Sequence, residues 1–428
     1  MVEIISALTF VGVIICVLFA KPIKIKKITV EWYYLVALLG AVLVLLLGSV
    51  DVKKVLHAFT ENTPVNPIKI LILFISMVLL SVFLDEVGFF KHMATITLKK
   101  AKTSQKKLFL YLYIIVSVLT MFTSNDVIVL SFTPFICYFC KNAKINPVPY
   151  LAGEFIAANT FSMAFIIGNP TNIYLSTAFG VTFVDYFLVM IAPTILAGGT
   201  AFLILFLLFR KQLSKEITPM ELTYVIEDKF LYWVSLSHLM VTTLFLAIGS
   251  YVKIEMYLVS IIAVASLTVT SLITAIVRRE KPRHLINAIK GAPWGLVPFV
   301  LSMFVLVTAL NETGITKKIY ELMGGGNEII NYGVSSFLVS NFINNIPMSV
   351  LFSKIIENGA GLGAFYASVI GSNLGAYLTP IGALAGIMWH SLIKSQNVKY
   401  SYLNFIKTGL IVSIPTLVVT LISLSLFV

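Results

Sequence analysis

Apolar runs of about 20 residues recur along the whole chain, each long enough to cross a hydrocarbon core about 30 Å thick. That feature leaves few folds open, because a lipid-embedded backbone must satisfy its own hydrogen bonds. With 58% hydrophobic and only 12% charged residues over 428 positions, a soluble core has no way to bury so much apolar surface. We read crossings at about 4–20, 31–49, 68–86, 148–177, 183–209, 229–252, 255–277, 295–311, 362–393 and 402–427. The first run is followed by Lys21, Lys24, Lys26 and Lys27 with no small-residue cleavage site, so it reads as a retained helix.

Two further apolar regions, 106–140 and 328–357, carry polar centres: Ser124-Asn125-Asp126 and Asn344-Asn345-Ile346-Pro347. A pair of full crossings plus a turn needs more than about 40 residues at 1.5 Å rise each, so re-entrant helical hairpins fit better. With the N-terminus outside, 24 of the 31 basic residues fall in cytoplasmic segments and seven outside: Lys53, Lys54, Lys69, Lys253, Lys317, Lys318 and Lys354. This bias follows the positive-inside rule and accounts for the net charge of +12, which is therefore no nucleic-acid signal. Basic residues flank the first hairpin, while Glu328 and Glu357 flank the second, so the two are expected to open to opposite faces.

The chain also echoes itself. Ser76-Met77 and Asp85-Glu86-Val87-Gly88 recur as Ser302-Met303 and Asn311-Glu312-Thr313-Gly314 at one constant offset. In each half an amphipathic stretch, a hairpin and a long broken helix follow. The expected breaks lie at Gly168-Asn169-Pro170-Thr171-Asn172 and from Gly371-Ser372-Asn373-Leu374-Gly375 to Thr379-Pro380-Ile381-Gly382. The expected architecture is an all-α integral membrane protein of about ten transmembrane helices plus two re-entrant hairpins in two inverted repeats. The halves are residues 1–209 and 229–428, joined by a cytoplasmic linker at 210–228. Inverted repeats with interrupted helices place a solute site near the bilayer midplane, as in secondary transporters.

The candidate solute-binding residues are Ser124, Asn125, Asn169, Thr171 and Asn172, with Asn344, Asn345, Ser372, Asn373 and Thr379 from the second half. Their amides and hydroxyls offer neutral donors and acceptors, and half-helix ends add oriented dipoles, which suits a small polar solute or an oxyanion. The candidate ion-coupling groups are Asp126 and Glu154, because acids inside a membrane are costly and mark function. The competing readings are a helix cap for Asp126 and snorkelling to cytoplasmic water for Glu154. Trp389 and His390 read as interfacial belt positions, and His238 as a hydrogen-bonded core residue. Asp85 and Glu86 read as interfacial. Cys16, Cys137 and Cys140 read as packing residues, and no metal ligand set, nucleotide loop, dinucleotide fingerprint or catalytic dyad stands out. No cofactor and no enzymatic activity are expected, and transport must draw on a solute or ion gradient.

These residues resemble the bacterial arsenite efflux permeases, within a superfamily that includes citrate and dicarboxylate carriers. The likeness spans nearly the whole chain. It is carried by 84–90 (Leu-Asp-Glu-Val-Gly-Phe-Phe), Ser124-Asn125-Asp126 with Thr133-Pro134, 290–294 (Lys-Gly-Ala-Pro-Trp), Asn344-Asn345-Ile346-Pro347, 370–375 and 379–382. The resemblance implies a bacterial plasma-membrane exporter of arsenite and antimonite, an antiporter coupled to protons when alone and able in some systems to join a soluble ATPase. A homodimer is compatible with the pattern. The chain departs from the family where Asn373 replaces an Asp, Ala376-Tyr377 replaces Pro-Lys, and Asn159 stands near another Asp position. Amides do not titrate, which leaves coupling to Asp126 and Glu154. The Gly-Asn-Pro-Thr-Asn break also resembles those of carboxylate carriers, so the alternative expectation is an Na⁺- or H⁺-coupled carrier of another small anion.

Overall fold

The computed structural model describes residues 2–428 apart from 21–22, 26–27, 49, 64–65, 218–223 and 250. Lys21, Lys26 and Lys27 of the first basic cluster, the Lys24 side chain, and Glu221 between the halves lie outside the described residues.

The chain begins with α1 (Val2–Phe19), then β1 (Ile23–Ile25) and β2 (Ile28–Val30), which pair antiparallel as a small ribbon. There follow α2 (Trp32–Leu46), α3 (Val52–Thr60), α4 (Pro67–Glu86), α5 (Phe89–Ala101), α6 (Gln105–Phe122) and α7 (Asn125–Asn142). The first half closes with α8 (Val148–Phe161), α9 (Pro170–Ala178) and α10 (Phe183–Leu213). The second contains α11 (Lys229–Gly249), α12 (Met256–Arg278), α13 (Arg283–Gly291), α14 (Leu296–Glu312), α15 (Ile315–Met323) and α16 (Glu328–Ile343). It ends with α17 (Asn345–Ile356), α18 (Leu362–Gly375), α19 (Leu384–Ser395) and α20 (Tyr402–Leu424). The protein is an all-α membrane protein. Among the described residues, seven segments are long and apolar enough to cross a bilayer, with α1, α2 and α17 as shorter apolar helices. Leu203 and Leu207 of α10 and Ile262 and Ile273 of α12 are exposed, as a lipid-facing surface requires, whereas α4 is buried on most sides.

The element order repeats across the two sets of ten helices. α4 and α14 both end at the glutamate of the sequence echo, and Gly88 (φ +85°) and Gly314 (φ +76°) then start α5 and α15. Glycine is the residue that enters this left-handed region without strain. The halves also exchange contacts. α4 packs on α11, α12 and α13, while α14 packs on α1 and α2. α7 packs on α19, and α17 on α9. Both echo glutamates meet the opposite half: Lys54 Nζ of α3 lies 2.8 Å from Glu312, and Asn287 Nδ2 of α13 donates to Glu86 at 3.0 Å. The ion pair is exposed and screened, so it marks position more than stability.

α10 runs to Leu213, four residues into the segment expected to be linker. Asp228 caps α11 by accepting from the Leu231 N–H at 3.0 Å. Desolvation raises its pKa, but that amide and the Arg278 guanidinium outweigh it and hold the carboxyl below its ordinary range. α16 and α18 approach closely through small residues: a Cβ at Gly371 would sit 2.2 Å from the Gly333 carbonyl oxygen, and one at Gly375 2.7 Å from that of Phe337. Gly371 and Gly375 thus form the small-xxx-small contact common to membrane helices.

Candidate substrate and coupling site

At the first tip α6 ends at Phe122, and Ser124 caps α7, its Oγ accepting from the Val127 N–H at 3.3 Å. The capping role read for Asp126 therefore belongs to Ser124, two residues earlier. Asp126 stands in the first turn of α7, 8% exposed, with no donor to its carboxylate among the described residues. Its neighbour Asn125 donates from Nδ2 to Asn159 Oδ1 of α8 at 3.0 Å. Asn159 in turn donates to the Phe155 carbonyl at 2.8 Å.

The first break comes earlier than the sequence suggests. α8 stops at Phe161, and Ser162–Ala164 and Ile166–Gly168 form single 3₁₀ turns on either side of an extended Phe165. A side chain at Gly168 would collide with the Ser162 carbonyl oxygen, 2.2 Å from an added Cβ. Asn169 then caps α9, accepting from the Thr171 N–H at 3.1 Å. Pro170 takes the first helical position, where its missing N–H costs nothing. Thr171 and Asn172 are therefore helical. In the second half α18 continues through Gly375, so Gly371 to Gly375 are helical too, and the irregular backbone is 376–383.

Asn373 joins the two halves. Its Oδ1 accepts from Asn169 Nδ2 at 2.9 Å and lies 2.9 Å from Ser162 Oγ. Its Nδ2 donates to Asn172 Oδ1 at 2.8 Å and to the Val369 carbonyl at 2.9 Å. Asn172 Nδ2 reaches back to the Ser162 carbonyl at 2.8 Å. A ring of neutral groups thus ties the first break to α18.

A second constellation ties the other tip to its break. Asn344 (φ +72°) donates from Nδ2 to the Ile381 carbonyl at 3.0 Å, and the Asn345 N–H donates to the Gly382 carbonyl at 3.1 Å. Asn341 Oδ1 accepts from both the Thr379 N–H, at 3.0 Å, and the Thr379 hydroxyl, at 2.7 Å. No hydrogen bond among the described residues links this constellation directly to the Asn373 ring.

Four buried atoms at these centres have no partner: Asn125 Oδ1, Thr171 Oγ1, Ser372 Oγ and Asn345 Oδ1. An unsatisfied buried polar group costs about 1–3 kcal/mol, so a solute, ion or water contact at each would recover that energy. No Lys or Arg is buried among the described residues, and no group of three or more metal-ligating side chains occurs among them.

Glu154 stands apart from this set. It is 1% exposed, which rules out snorkelling. Its carboxylate accepts from Thr133 Oγ of α7 at 3.1 Å and from Trp389 Nε1 of α19 at 3.2 Å. Trp389 is 2% exposed, so it is a buried donor and no interfacial belt residue. His238 bonds Ser266 and the Val234 carbonyl as expected, but it is half-buried on α11 and no core residue. The three cysteines are free. Ser162, Asn341, Thr133 and Trp389 were missed. Asn341 carried a signal, lying one turn before Asn344 and Asn345, whereas nothing local distinguished Ser162 or paired Trp389 with Glu154.

The family model for citrate transporters, CitMHS, matches residues 33–368. The chain belongs to this family. It is also similar over most of its length to arsenical pumps, in line with the motif resemblance. It is 29% identical to the arsenical pump membrane protein of Escherichia coli K12 over 422 residues, 91% of this chain and 92% of the relative. A putative arsenical pump membrane protein of Bacillus subtilis is 25% identical over 90% of this chain and 92% of the relative. A 46 kDa membrane protein of Mycobacterium leprae is 24% identical over 89% and 90%. In fold, the chain is similar to the solved Alcanivorax borkumensis YdaH transporter, with a TM-score of 0.62 at 13% identity over 100% of this chain and 97% of that one. The protein is a multi-pass bacterial membrane transporter of the CitMHS family, similar in sequence to arsenical pumps, and not an enzyme.

Proposed function

We propose that this transporter exports arsenite and antimonite by proton antiport, with alternating access between two inverted halves, 1–209 and 229–428. The observation that carries the reading is the set of four orphaned polar atoms among the buried amides and hydroxyls of the tips and breaks, with no buried Lys or Arg among the described residues. Arsenous and antimonous acids are uncharged trihydroxides at neutral pH, so every oxygen both donates and accepts, as such a set requires. The arsenical pump relatives support the same solute. The exchanged contacts between equivalent helices support a two-fold relation between the halves. The charge bias supports its inversion across the membrane. Asn159 and Asn373 are amides and do not titrate, which leaves coupling to Asp126 or Glu154. Glu154 spans elements from both halves, so a change in its charge acts on the α7–α8–α19 junction.

A second reading is an Na⁺- or H⁺-coupled carrier of a carboxylate or other small anion. The citrate transporter description of the family favours it, as do the N-termini of α7, α9 and α17 at the tips and the break, whose partial positive charge suits an anion.

The test is arsenite flux into everted vesicles with and without a protonophore. The expected result is saturable accumulation that the protonophore abolishes, and that Asp126→Asn or Glu154→Gln also abolishes while the protein remains inserted. Inserted wild-type protein that shows no arsenite flux, but drives carboxylate uptake with a sodium gradient, would replace the first reading with the second.

A further inference from the structure

A cavity of about 540 Å³ lies where the N-terminal end of α4, the C-terminal end of α9 and the N-terminal end of α12 meet. Its lining includes Lys69, Ser176, Thr177, Thr182, Lys253 and Glu255. Lys69 and Lys253 both belong to the minority of basic residues that the charge bias puts outside. We propose that this cavity is the outer vestibule of the transport path, an access subsite for a small hydroxylated or oxyanionic solute, closed by the Lys69–Glu255 ion pair.

Depth supports the assignment. α9 is the helix that resumes at the first break, and Ser176 lies about one turn beyond Thr171 and Asn172 on it. Half-buried Thr177 faces the cavity, and Ser176 beside it is fully buried with its Oγ unpartnered, so a polar molecule reaches that hydroxyl only when the closure opens. Such a group is satisfied by whatever polar molecule enters. The volume falls within the range of about 300–1,000 Å³ usual for small-molecule sites.

The closure is built from both halves. Lys69 Nζ pairs with Glu255 at the start of α12 and with Asn62 Oδ1 before α4, and it stands 5.1 Å from the Tyr257 ring centroid. The lysine is 14% exposed and the glutamate 44%, so water reaches the pair from the glutamate side and partly screens it. A second cavity, about 470 Å³, lies at the opposite end of α4 between Asp85, Lys91 and Thr95 on one side and Leu130 and Ser131 of α7 on the other. α4 therefore carries a cleft at each end, one against α9 and one against α7. Each neighbour bears a polar centre, and alternating access along α4 needs such a pair. The proposal rests on the membrane orientation given above and not on the identity of the solute.

The experiment uses full-length protein with Cys16, Cys137 and Cys140 replaced by Ala and a single Ser176→Cys introduced. A second version carries Thr177→Cys in place of Ser176→Cys. A membrane-impermeant thiol reagent is applied to right-side-out and to everted vesicles. The expected result is labelling from the outer face alone, accompanied by loss of flux of whichever solute the vesicle assay shows to be carried. Adding Glu255→Gln is expected to raise the labelling rate about two- to fivefold, the effect of losing one partly exposed ion pair. Labelling needs no substrate, so it succeeds or fails independently of arsenite transport. Absence of outer-face labelling at both positions, as in a lipid-filled cleft, would overturn the vestibule, as would labelling from the cytoplasmic face or labelling that spares flux. A rate unchanged by Glu255→Gln would overturn the gate.

Discussion

Asn373 makes four polar contacts, which are as many as one amide offers. The geometry explains why an amide suits this position. The oxygen faces two donors, while the nitrogen faces the Asn172 oxygen and the Val369 carbonyl. Asn373→Asp keeps the first pair and sets oxygen against oxygen at 2.8 and 2.9 Å in the second. Each lost donor leaves an acceptor unsatisfied at a cost of about 1–3 kcal/mol. The expected outcome is a clear fall in the thermal midpoint of the detergent-solubilised protein. An unchanged midpoint would show that the ring is not closed in solution. Proximity in the chain is a poor guide at this scale: Asp126 follows Ser124 and Asn125 and has no donor among the described residues, whereas Glu154 sits in an apolar helix and has two.

The hairpin and broken helix of the second half are held together by shape. α16 and α18 touch through Gly333, Ser336 and Ser340 on one side and Gly371 and Gly375 on the other. Gly375→Val forces Cβ toward the Phe337 carbonyl and Ser340 Oγ, and overpacking of this kind costs about 1–3 kcal/mol. Its thermal midpoint and vesicle flux should both fall. Gly199→Ala in α10 is the control, because nothing lies within 4 Å of its added Cβ. It should be neutral or stabilising by up to about 1 kcal/mol through helix propensity. Equal effects from the two substitutions would contradict close approach at Gly375. The spacing of Gly371 and Gly375 was visible in the sequence, but their chemistry drew attention to unwinding, and the helix runs straight through them.

The whole molecule is interleaved. Each half sends its opening helices across to the fourth helix of the other, and α10 packs on α20. Neither half covers its own apolar and polar faces, so neither is expected to persist alone. Separation within 218–223, between α10 and α11, should therefore yield two fragments that co-purify from membranes and restore flux when co-expressed. Each fragment expressed alone should be degraded. A fragment that accumulates alone as a folded, monodisperse species would show that the crosswise contacts are dispensable. Lys54–Glu312 and Asn287–Glu86 are good positions for crosslinking that association, since each joins opposite halves.

Run length and residue polarity sufficed for the all-α membrane class and for the regions where polar residues interrupt the apolar runs, because hydrophobic length is a one-dimensional quantity. The polar centres at Asn125, Asn169, Asn344 and Asn373 were legible for the same reason: an amide in an apolar run stands out. What tertiary structure alone decided is which groups meet. Where the backbone unwinds depends on caps and close contacts, so the first break moved back to Ser162 and the second forward to 376–383. Which acid is buried depends on its rotational position and on helices distant in sequence. Glu154 is therefore held by Trp389, 235 positions away, a pairing that hydropathy, which records length and not direction around a helix, does not contain.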